Sequence, residues 1–335
     1  MGNGLRVLGI DISKQKFDVC LTTTSGGKER YRTFRNNEAG FDELAGFLKL
    51  HGAERVHACM EPTGRFCEKL ALWLRERQHE VSIVNAYRIK GFAISELKRS
   101  KTDRIDAGII ARFCLMHNPE IWTPREEDVQ QITDIGRYVD ELTADLVREK
   151  NRLKSGIENA VVVKEIENHI RYLEKTIEKL DKRMRTMVKN NDRLETAFKC
   201  ATSIIGVGER LAFTFLGEIG YGDKFISTRQ VEAFCGLNPR LRTSGTTLNS
   251  RPKMSKMGSS RMRHALYMPA LSSMQHNPIL REFADRLRAA GKNPRAIVGA
   301  IMRKLLRLLF AVVKTGKPYD LEYHVRPRLL EGNEA

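Results

Sequence analysis

The heptapeptide RVLGIDI, residues Arg6–Ile12, is the stretch that decides how this chain begins to fold. Its apolar run, closed by charged residues at Asp11 and Lys14, predicts a β-strand. Because side chains alternate along a strand, Gly9 and Asp11 lie on one side and Ile10 and Ile12 on the other. A carboxylate at the end of an apolar strand is unfavourable unless a positive group meets it. Asp11 is therefore the first candidate for a functional residue.

Strand and helix patterns alternate from this heptapeptide to residue 122. Strands are predicted at residues 6–12, 17–23, 30–34, 56–60 and 80–84, and helices at 38–50, 65–77, 86–98 and 103–117. This order, β-β-β-α-β-α-β-α, predicts a three-stranded meander that continues through parallel crossovers. Ribonuclease-H-like and actin-like folds both begin in this way. Residues 1–122 are thus predicted to form an α/β domain.

Residues 123–195 change to a helical pattern with an apolar seam. Between residues 163 and 187 the apolar positions recur at alternating steps of three and four, with Lys, Arg and Glu between them. The seam consists of Val163, Ile166, Ile170, Leu173, Ile177, Leu180, Met184 and Met187. Such spacing is typical of a coiled coil. We predict a coiled-coil arm, made either of two antiparallel helices or of helices from two chains, with a solvated single helix as the alternative.

Residues 196–335 are predicted to be mainly helical. Gly206 and Gly208 lie in a turn before a helix, as in a helix-hairpin-helix, where backbone amides can approach a phosphate. Residues 237–258 lack apolar patterning and predict a loop of about 20 residues, a length that is usually functional. Three helices are expected after it, at residues 259–274, 278–290 and 294–314.

The charge of the chain is high and unevenly distributed. The net charge is +17, and residues 236–310 hold fifteen Lys and Arg against two acids, Glu282 and Asp285. A strong positive excess usually indicates a polyanionic partner, because each neutralised phosphate releases counterions. The alternative is a basic protein whose charge only keeps it in solution. We expect nucleic acid to contact the C-terminal part of the chain.

Other classes of protein are disfavoured. The apolar runs near both ends are short and interrupted by charges, so neither a signal peptide nor a membrane span is predicted. The six cysteines form no CxxC pair and the eight histidines show no zinc-binding spacing. We therefore expect reduced cysteines and a cytoplasmic protein without zinc.

Four acids occur where an α/β sheet would bring them to one edge. Asp11 ends the first strand and Glu61 ends the fourth, while Asp103 and Asp106 are three residues apart near the start of a helix. The carboxyl ends of parallel strands form one edge of a sheet, so these acids are predicted to converge. Carboxylates without His or Cys favour Mg²⁺ or Mn²⁺. Solvent exposure, or helix capping for Asp103, is the alternative for any one of them.

Short motifs in a fixed order extend this pattern along nearly the whole chain. They are Gly9-Ile-Asp11, Glu61-Pro-Thr-Gly64, Lys101-Thr-Asp-Arg-Ile-Asp-Ala107, Gly206-Val-Gly208, Phe234-Cys-Gly-Leu-Asn-Pro239, Ser244-Gly245, Ser255-Lys-Met-Gly258 and Arg263-His-Ala-Leu266. In these motifs the sequence resembles the DEDD class of insertion-sequence transposases, also described as bridge-RNA-guided recombinases, with pilin-gene invertases as relatives. Each motif alone is weakly specific, but their order together is highly specific.

The resemblance implies an architecture and a chemistry. It implies a RuvC-like, ribonuclease-H-like domain (residues 1–122), a coiled-coil arm (123–195) and a mainly helical transposase domain (196–335). The implied catalytic residues are Asp11, Glu61, Asp103 and Asp106, as ligands of Mg²⁺ or Mn²⁺, and Ser244 as a nucleophile. The implied partners are double-stranded donor and target DNA, a guide RNA and further copies of the chain in a dimer or tetramer. A bacterial cytoplasmic protein that joins the nucleoid when bound to DNA is expected.

The predicted nucleic-acid contacts are basic or glycine residues near these motifs. They are Lys101, Arg104, Gly206, Gly208, Arg240, Arg242, Arg251, Lys253, Lys256, Arg261 and Arg263. Arginine and lysine side chains would hold phosphates, and the glycines would let backbone amides approach them.

Three other functions use some of the same features. A RuvC-like endonuclease would hydrolyse DNA with the four acids and no serine. An actin-like kinase or ATPase also opens with Gly-Ile-Asp, but it would need a second α/β domain where residues 123–195 predict helices. A non-catalytic nucleic-acid scaffold would need none of the acids.

Overall fold

The computed structural model describes residues 6–23, 28–62, 64–96, 102–244 and 248–321; residues 65, 241–244 and 248–253 are described by their backbone. The chain forms two compact units, Met1–Pro124 and Arg125–Ala335. The first unit has a mixed α/β sheet, and the second is mostly helical.

The first unit contains one five-stranded sheet. Its strands are β1 (Arg6–Ile12), β2 (Lys16–Thr23), β3 (Arg30–Arg35), β4 (His57–Met60) and β5 (Glu80–Ile83), in the order β3-β2-β1-β4-β5. Pairing is antiparallel within β1, β2 and β3 and parallel between β1 and β4 and between β4 and β5. The predicted meander with parallel crossovers is therefore confirmed.

Helices cover both faces of this sheet. They are α1 (Glu38–Leu50), α2 (Arg65–Glu76), α3 (Ala86–Ser95) and α4 (Asp103–His117). Leu8 and Ile10 of β1 belong to a core with Leu44 of α1 and Leu70 of α2. Val7, Cys20 and Cys59 belong to a second core with residues of α3 and α4. The alternation of β1 thus divides its side chains between two helix layers.

The second unit begins with two long helices that pack side by side. They are α5 (Glu127–Leu153) and α6 (Ala160–Lys189). Lys150 pairs with Glu174 at 2.7 Å, and Asn191, just after α6, donates to Asp128 near the start of α5. The helices are therefore antiparallel. Ile166, Leu173, Ile177 and Met184 of the predicted seam are buried, so the seam packs within the chain.

The remaining helices surround one apolar core. They are α7 (Asp192–Thr202), α8 (Glu209–Ile219), α9 (Thr228–Cys235), α10 (Ser260–His276), α11 (Pro278–Ala289) and α12 (Pro294–Thr315). α12 supplies much of this core through Ile301, Leu305 and Leu309. Gly236 ends α9 in the left-handed conformation, with φ of 65°, where a side chain would be strained.

The prediction of an irregular loop over residues 237–258 is wrong. The segment forms an antiparallel hairpin of β6 (Pro239–Ser244) and β7 (Leu248–Met254), with a bulge between Arg240 and Arg242. Its residues are mostly polar or basic, so no apolar side of a strand marks it in the sequence. The ladder of backbone hydrogen bonds, rather than an apolar pattern, defines this hairpin.

All six cysteines lie in the described part of the chain, where they are buried and form no disulfide bond. No helix within the described ranges combines the length and apolar character that a membrane span needs.

Candidate functional site

Two of the predicted acids lie at the ends of neighbouring parallel strands. β1 and β4 pair with Ile10 opposite Met60, and Asp11 and Glu61 are the next residues along each strand. Both side chains are partly exposed. The register therefore places Asp11 and Glu61 beside each other at the carboxyl edge of the sheet.

The other two acids belong to the first turn of α4. The hydroxyl of Thr102 accepts a hydrogen bond from the Ile105 amide at 3.3 Å, so Thr102 caps this helix. The Asp103 carboxylate instead accepts a hydrogen bond from the Lys16 ammonium group at 2.7 Å. Lys16 opens β2 next to the end of β1, because Ile12 pairs with Phe17. Asp103 thus lies at the same sheet edge as Asp11.

A fifth acid, Asp18, lies at this edge and was missed by the sequence reasoning. It pairs directly with Asp11 across β1 and β2, so the two residues share a face of the sheet. Its carboxylate also receives Lys16 at 3.2 Å and the Thr33 hydroxyl. Hydrogen bonds first to Asp103 and then to Asp18 raise the pKa of Lys16. Lys16 therefore holds a positive charge between the carboxylates of Asp103 and Asp18.

The chemistry of this edge suits a hard cation. The four predicted acids offer carboxylate oxygens, the donors that Mg²⁺ and Mn²⁺ prefer. Among the residues that the structure describes, no three His, Cys, Asp or Glu side chains are grouped as a ready metal-binding cluster. The fold brings Asp11, Glu61 and Asp103 to one edge, where Lys16 is bonded to Asp103.

The hairpin that carries Ser244 is closed tightly at its base. Ser244 is the last residue of β6 and pairs with Leu248. Below the strands, the Ser255 amide donates to the Asn238 carbonyl at 2.8 Å and the Lys256 amide donates to the Gly236 carbonyl at 2.9 Å. A Cβ atom on Gly258 would lie 2.8 Å from the Gly236 amide nitrogen. Two glycines therefore let the chain segments on either side of the hairpin meet.

The basic residues around the hairpin differ in what they contact. Arg261 donates to Asp140 at 2.6 Å and to Glu218 at 3.2 Å. Arg263 donates to the carbonyls of Cys235 and Gly258 at 2.9 and 3.0 Å. Both guanidinium groups thus hold the second unit together at the start of α10.

The remaining predicted contacts fall into three groups. Arg240 and Lys256 have exposed side chains, and Lys256 has a φ of 57°. Arg242, Arg251 and Lys253 lie on the two strands of the hairpin. Arg104 lies on α4 with its guanidinium carbon 4.5 Å from the Tyr31 ring centroid, and Lys101 is outside the described residues.

The glycine turn before α8 has two distinct parts. A Cβ atom on Gly206 would lie 2.9 Å from the Cα atom of Ser273 in α10, and its φ is 97°. Gly206 is therefore needed for packing. Gly208 is the N-cap residue of α8, is exposed and has open space where a Cβ would be. Of the two, Gly208 has the geometry for an approaching phosphate.

Comparison with known proteins gives family matches in both units. A transposase family model of the DEDD IS110 type matches residues 8–162, and a model described as transposase IS116/IS110/IS902 family matches residues 199–285. The pilin gene-inverting protein of Moraxella lacunata is 32% identical over 321 residues, which are 95% of this chain and 98% of that protein.

Two further relatives extend this likeness. The pilin gene-inverting protein of Moraxella bovis is 31% identical over 321 residues, again 95% of this chain and 98% of that protein. The transposase for insertion sequence element IS1328 of Yersinia enterocolitica is 24% identical over 285 residues, covering 75% of this chain and 82% of that protein. The two family models and the nearly full-length match to the Moraxella lacunata protein show that the chain belongs to the IS110 family of transposases.

Proposed function

We propose that this chain cuts and rejoins DNA strands during the movement of a mobile element, with the four edge acids and Ser244 as its catalytic residues. The observation that carries the proposal is the placement of Asp11, Glu61 and Asp103 at one edge of a mixed sheet. The sheet order and these acids favour a ribonuclease-H-like domain of RuvC type. Membership in a transposase family agrees with the proposed cutting and rejoining of DNA and with the proposed type of domain.

Asp11, Glu61, Asp103 and Asp106 would hold Mg²⁺ or Mn²⁺. Such ions, when bound, lower the negative charge on a phosphodiester and the pKa of a hydroxyl group near it. Four carboxylates at one edge otherwise repel both each other and DNA. Lys16 partly offsets this repulsion through its contacts with Asp103 and Asp18.

Ser244 would act as the nucleophile. Its hydroxyl oxygen would bond to a DNA phosphorus while the bond from phosphorus to one deoxyribose oxygen breaks, and that oxygen leaves with a proton as a free hydroxyl end. The phosphoserine diester keeps the energy of the broken bond, so a second DNA hydroxyl can reverse the step without a nucleotide cofactor. The nearest histidine in the sequence is His264, so no neighbouring histidine is available along the chain to activate the serine.

The hairpin would place DNA at the serine. Arg240 and Lys256 are exposed, and Arg242, Arg251 and Lys253 lie on its two strands. Four positive charges on this short hairpin and a fifth, Lys256, at its base would hold phosphates on either side of the cut. The family resemblance adds a guide RNA and an assembly of two or four chains to this proposal, and the positive charge of the chain suits both nucleic acids.

The test is covalent trapping on DNA that carries the two ends of the element. The full-length protein should form an adduct that survives denaturing electrophoresis, and Ser244→Ala should remove the adduct while DNA binding persists. Thr243→Ala, the neighbouring change in β6, is the matched control and should keep the adduct. Full recombination by Ser244→Ala would reject the serine mechanism. Strand cleavage without any adduct would instead identify a hydrolytic RuvC-like endonuclease.

A further inference from the structure

A basic cleft lies between α11 and α12 within the second unit. It has a volume of about 410 Å³ and is lined by Phe283, Ala300, Arg303, Lys304, Arg307 and Leu308. Binding sites for small ligands commonly have volumes of about 300 to 1,000 Å³. The cleft therefore has the size of a ligand site, with an apolar wall and three cationic side chains.

Two of the cations are held in place by a buried carboxylate. Glu232 of α9 is 1% exposed and accepts a hydrogen bond from Nε of Arg303 at 2.6 Å and another from Nε of Arg307. Contact through Nε fixes the plane of each guanidinium, while both arginine side chains keep partial solvent exposure. Arginines that are already fixed lose little conformational entropy when they bind an anion.

The third cation lies against the apolar wall. The ammonium group of Lys304 is 4.6 Å from the Phe283 ring centroid, and the guanidinium carbon of Arg286 is 5.6 Å from the same centroid. Burial first, and then the charge of Arg286, lowers the pKa of Lys304. An anion in the cleft would relieve this crowding of positive charge.

We propose that this cleft binds one unpaired nucleotide of a nucleic-acid strand, with its phosphate on Arg303, Lys304 and Arg307 and its base or sugar on Phe283. A phosphate alone would not use the apolar wall, and an apolar ligand alone would leave three cations partly desolvated. Unpaired bases bind aromatic and arginine side chains in this way. The inference goes beyond the proposed function, because it requires neither the edge acids nor Ser244.

The test uses the full-length protein and three probes of defined chemistry. They are a 20-nucleotide oligouridine RNA, an oligothymidine DNA of the same length and a 20-base-pair DNA duplex. Arg303 and Arg307 are left unchanged, because both donate hydrogen bonds to the buried Glu232 and their loss would affect folding. Lys304→Gln removes one charge from the cleft, and Phe283→Leu keeps an apolar side chain without the ring. Arg295→Gln, an exposed position at the start of α12, is the control for charge alone.

Lys304→Gln and Phe283→Leu should each weaken binding of a single-stranded probe by about fivefold or more, whereas Arg295→Gln should change it by less than about twofold. Photocrosslinking of 5-iodouracil-substituted probes should give an adduct at Phe283. A larger loss of affinity in the variants and a higher crosslink yield with the RNA probe would identify the nucleotide as part of an RNA, and the same result with the single-stranded DNA probe would identify it as part of a DNA strand. Equal losses for Lys304→Gln and Arg295→Gln, or losses confined to the duplex, would overturn the proposal.

Discussion

Gly9 of β1 lies in direct backbone contact with Ala107 of α4. A Cβ atom on Gly9 would overlap the Ala107 carbonyl oxygen and lie 2.7 Å from the Ala111 Cβ atom. Only glycine permits this closeness. Since Asp11 is two residues beyond Gly9 and Asp103 is one turn before Ala107, the contact determines how the acids of β1 and α4 approach each other.

The first prediction concerns this contact. Gly9→Ala should lower the free energy of unfolding of the first unit by about 1–3 kcal/mol, because α4 must move away from β1. The rate of strand cleavage should fall by more than the loss of stability alone explains, because the acids of β1 and α4 move apart. Thermal unfolding and hydrogen exchange of α4 measure the first effect. Gly46→Ala, on the exposed side of α1 with open space around it, should instead stabilise by about 0.5–1 kcal/mol.

The second prediction concerns the metal. Asn or Gln in place of Asp11, Glu61, Asp103 or Asp106 should reduce strand cleavage by several orders of magnitude and weaken Mn²⁺ binding measured by calorimetry. Circular dichroism should show that the fold persists. Asp42→Asn, an exposed acid of α1, should leave both unchanged. Normal cleavage in the presence of EDTA would contradict the metal proposal.

The third prediction separates a basic residue with a structural role from one that is proposed to contact DNA. Arg261→Gln should lower stability by about 1–3 kcal/mol, because Glu218 is largely buried and loses a charged partner. Lys256→Gln should leave stability nearly unchanged but weaken DNA binding and reduce its dependence on salt. Chemical unfolding and binding titrations at two salt concentrations compare them. Similar effects of both variants on binding, at equal stability, would count against this division.

The fourth prediction concerns pH. Burial first, and then Arg77 and Arg55, lowers the pKa of His79 from 6.5, and its Nδ1 accepts the Val56 amide at 3.4 Å. The unfolded chain therefore takes up a proton at a higher pH than the folded chain. Stability from this group is complete above about pH 6.5 and is lost as the pH falls below it. Denaturant unfolding at pH 7.5 and 5.5 should show the loss, and His79→Gln should make it smaller.

The fifth prediction concerns the helical arm. Leu173 is 2% exposed and packs within the core of the second unit, whereas the adjacent Tyr172 is 63% exposed. Leu173→Ala should lower stability by about 2–4 kcal/mol and Tyr172→Ala by less than about 0.5 kcal/mol. Because Leu173 belongs to a core that residues of α5 in the same chain also form, the loss should not vary with protein concentration. A concentration-dependent loss would indicate that the seam pairs two chains.

The sequence predicted the first unit well because its signals are local. Apolar runs that end at Asp11 and at Glu61 mark two strands, and the strand bounds agree within one residue. Asp18 was missed for a different reason. It is an isolated acid within β2, and its position opposite Asp11 depends on the pairing of Ile12 with Phe17, which no single segment reveals.

The second unit was less predictable where long-range contacts decide the role of a residue. Arg261 and Arg240 look alike in the sequence, yet Arg261 binds Asp140, which is 121 residues away. Gly206 and Gly208 likewise form one motif, but only the structure shows that Ser273 lies against Gly206. Which residues become partners depends on how helices far apart in the sequence pack together, and a local sequence pattern does not reveal that packing.

The closed base of the β6–β7 hairpin has a consequence for how its sequence can be changed. Gly236 and Gly258 meet below the strands, and Arg263 ties the same backbone together from α10. Met254 at the end of β7 packs against the helical core. We therefore expect insertions, deletions or substitutions elsewhere in the two strands to leave the packing of the helices intact. The length and charge of the rest of the hairpin should therefore be open to protein engineering while the helices that carry it keep their packing.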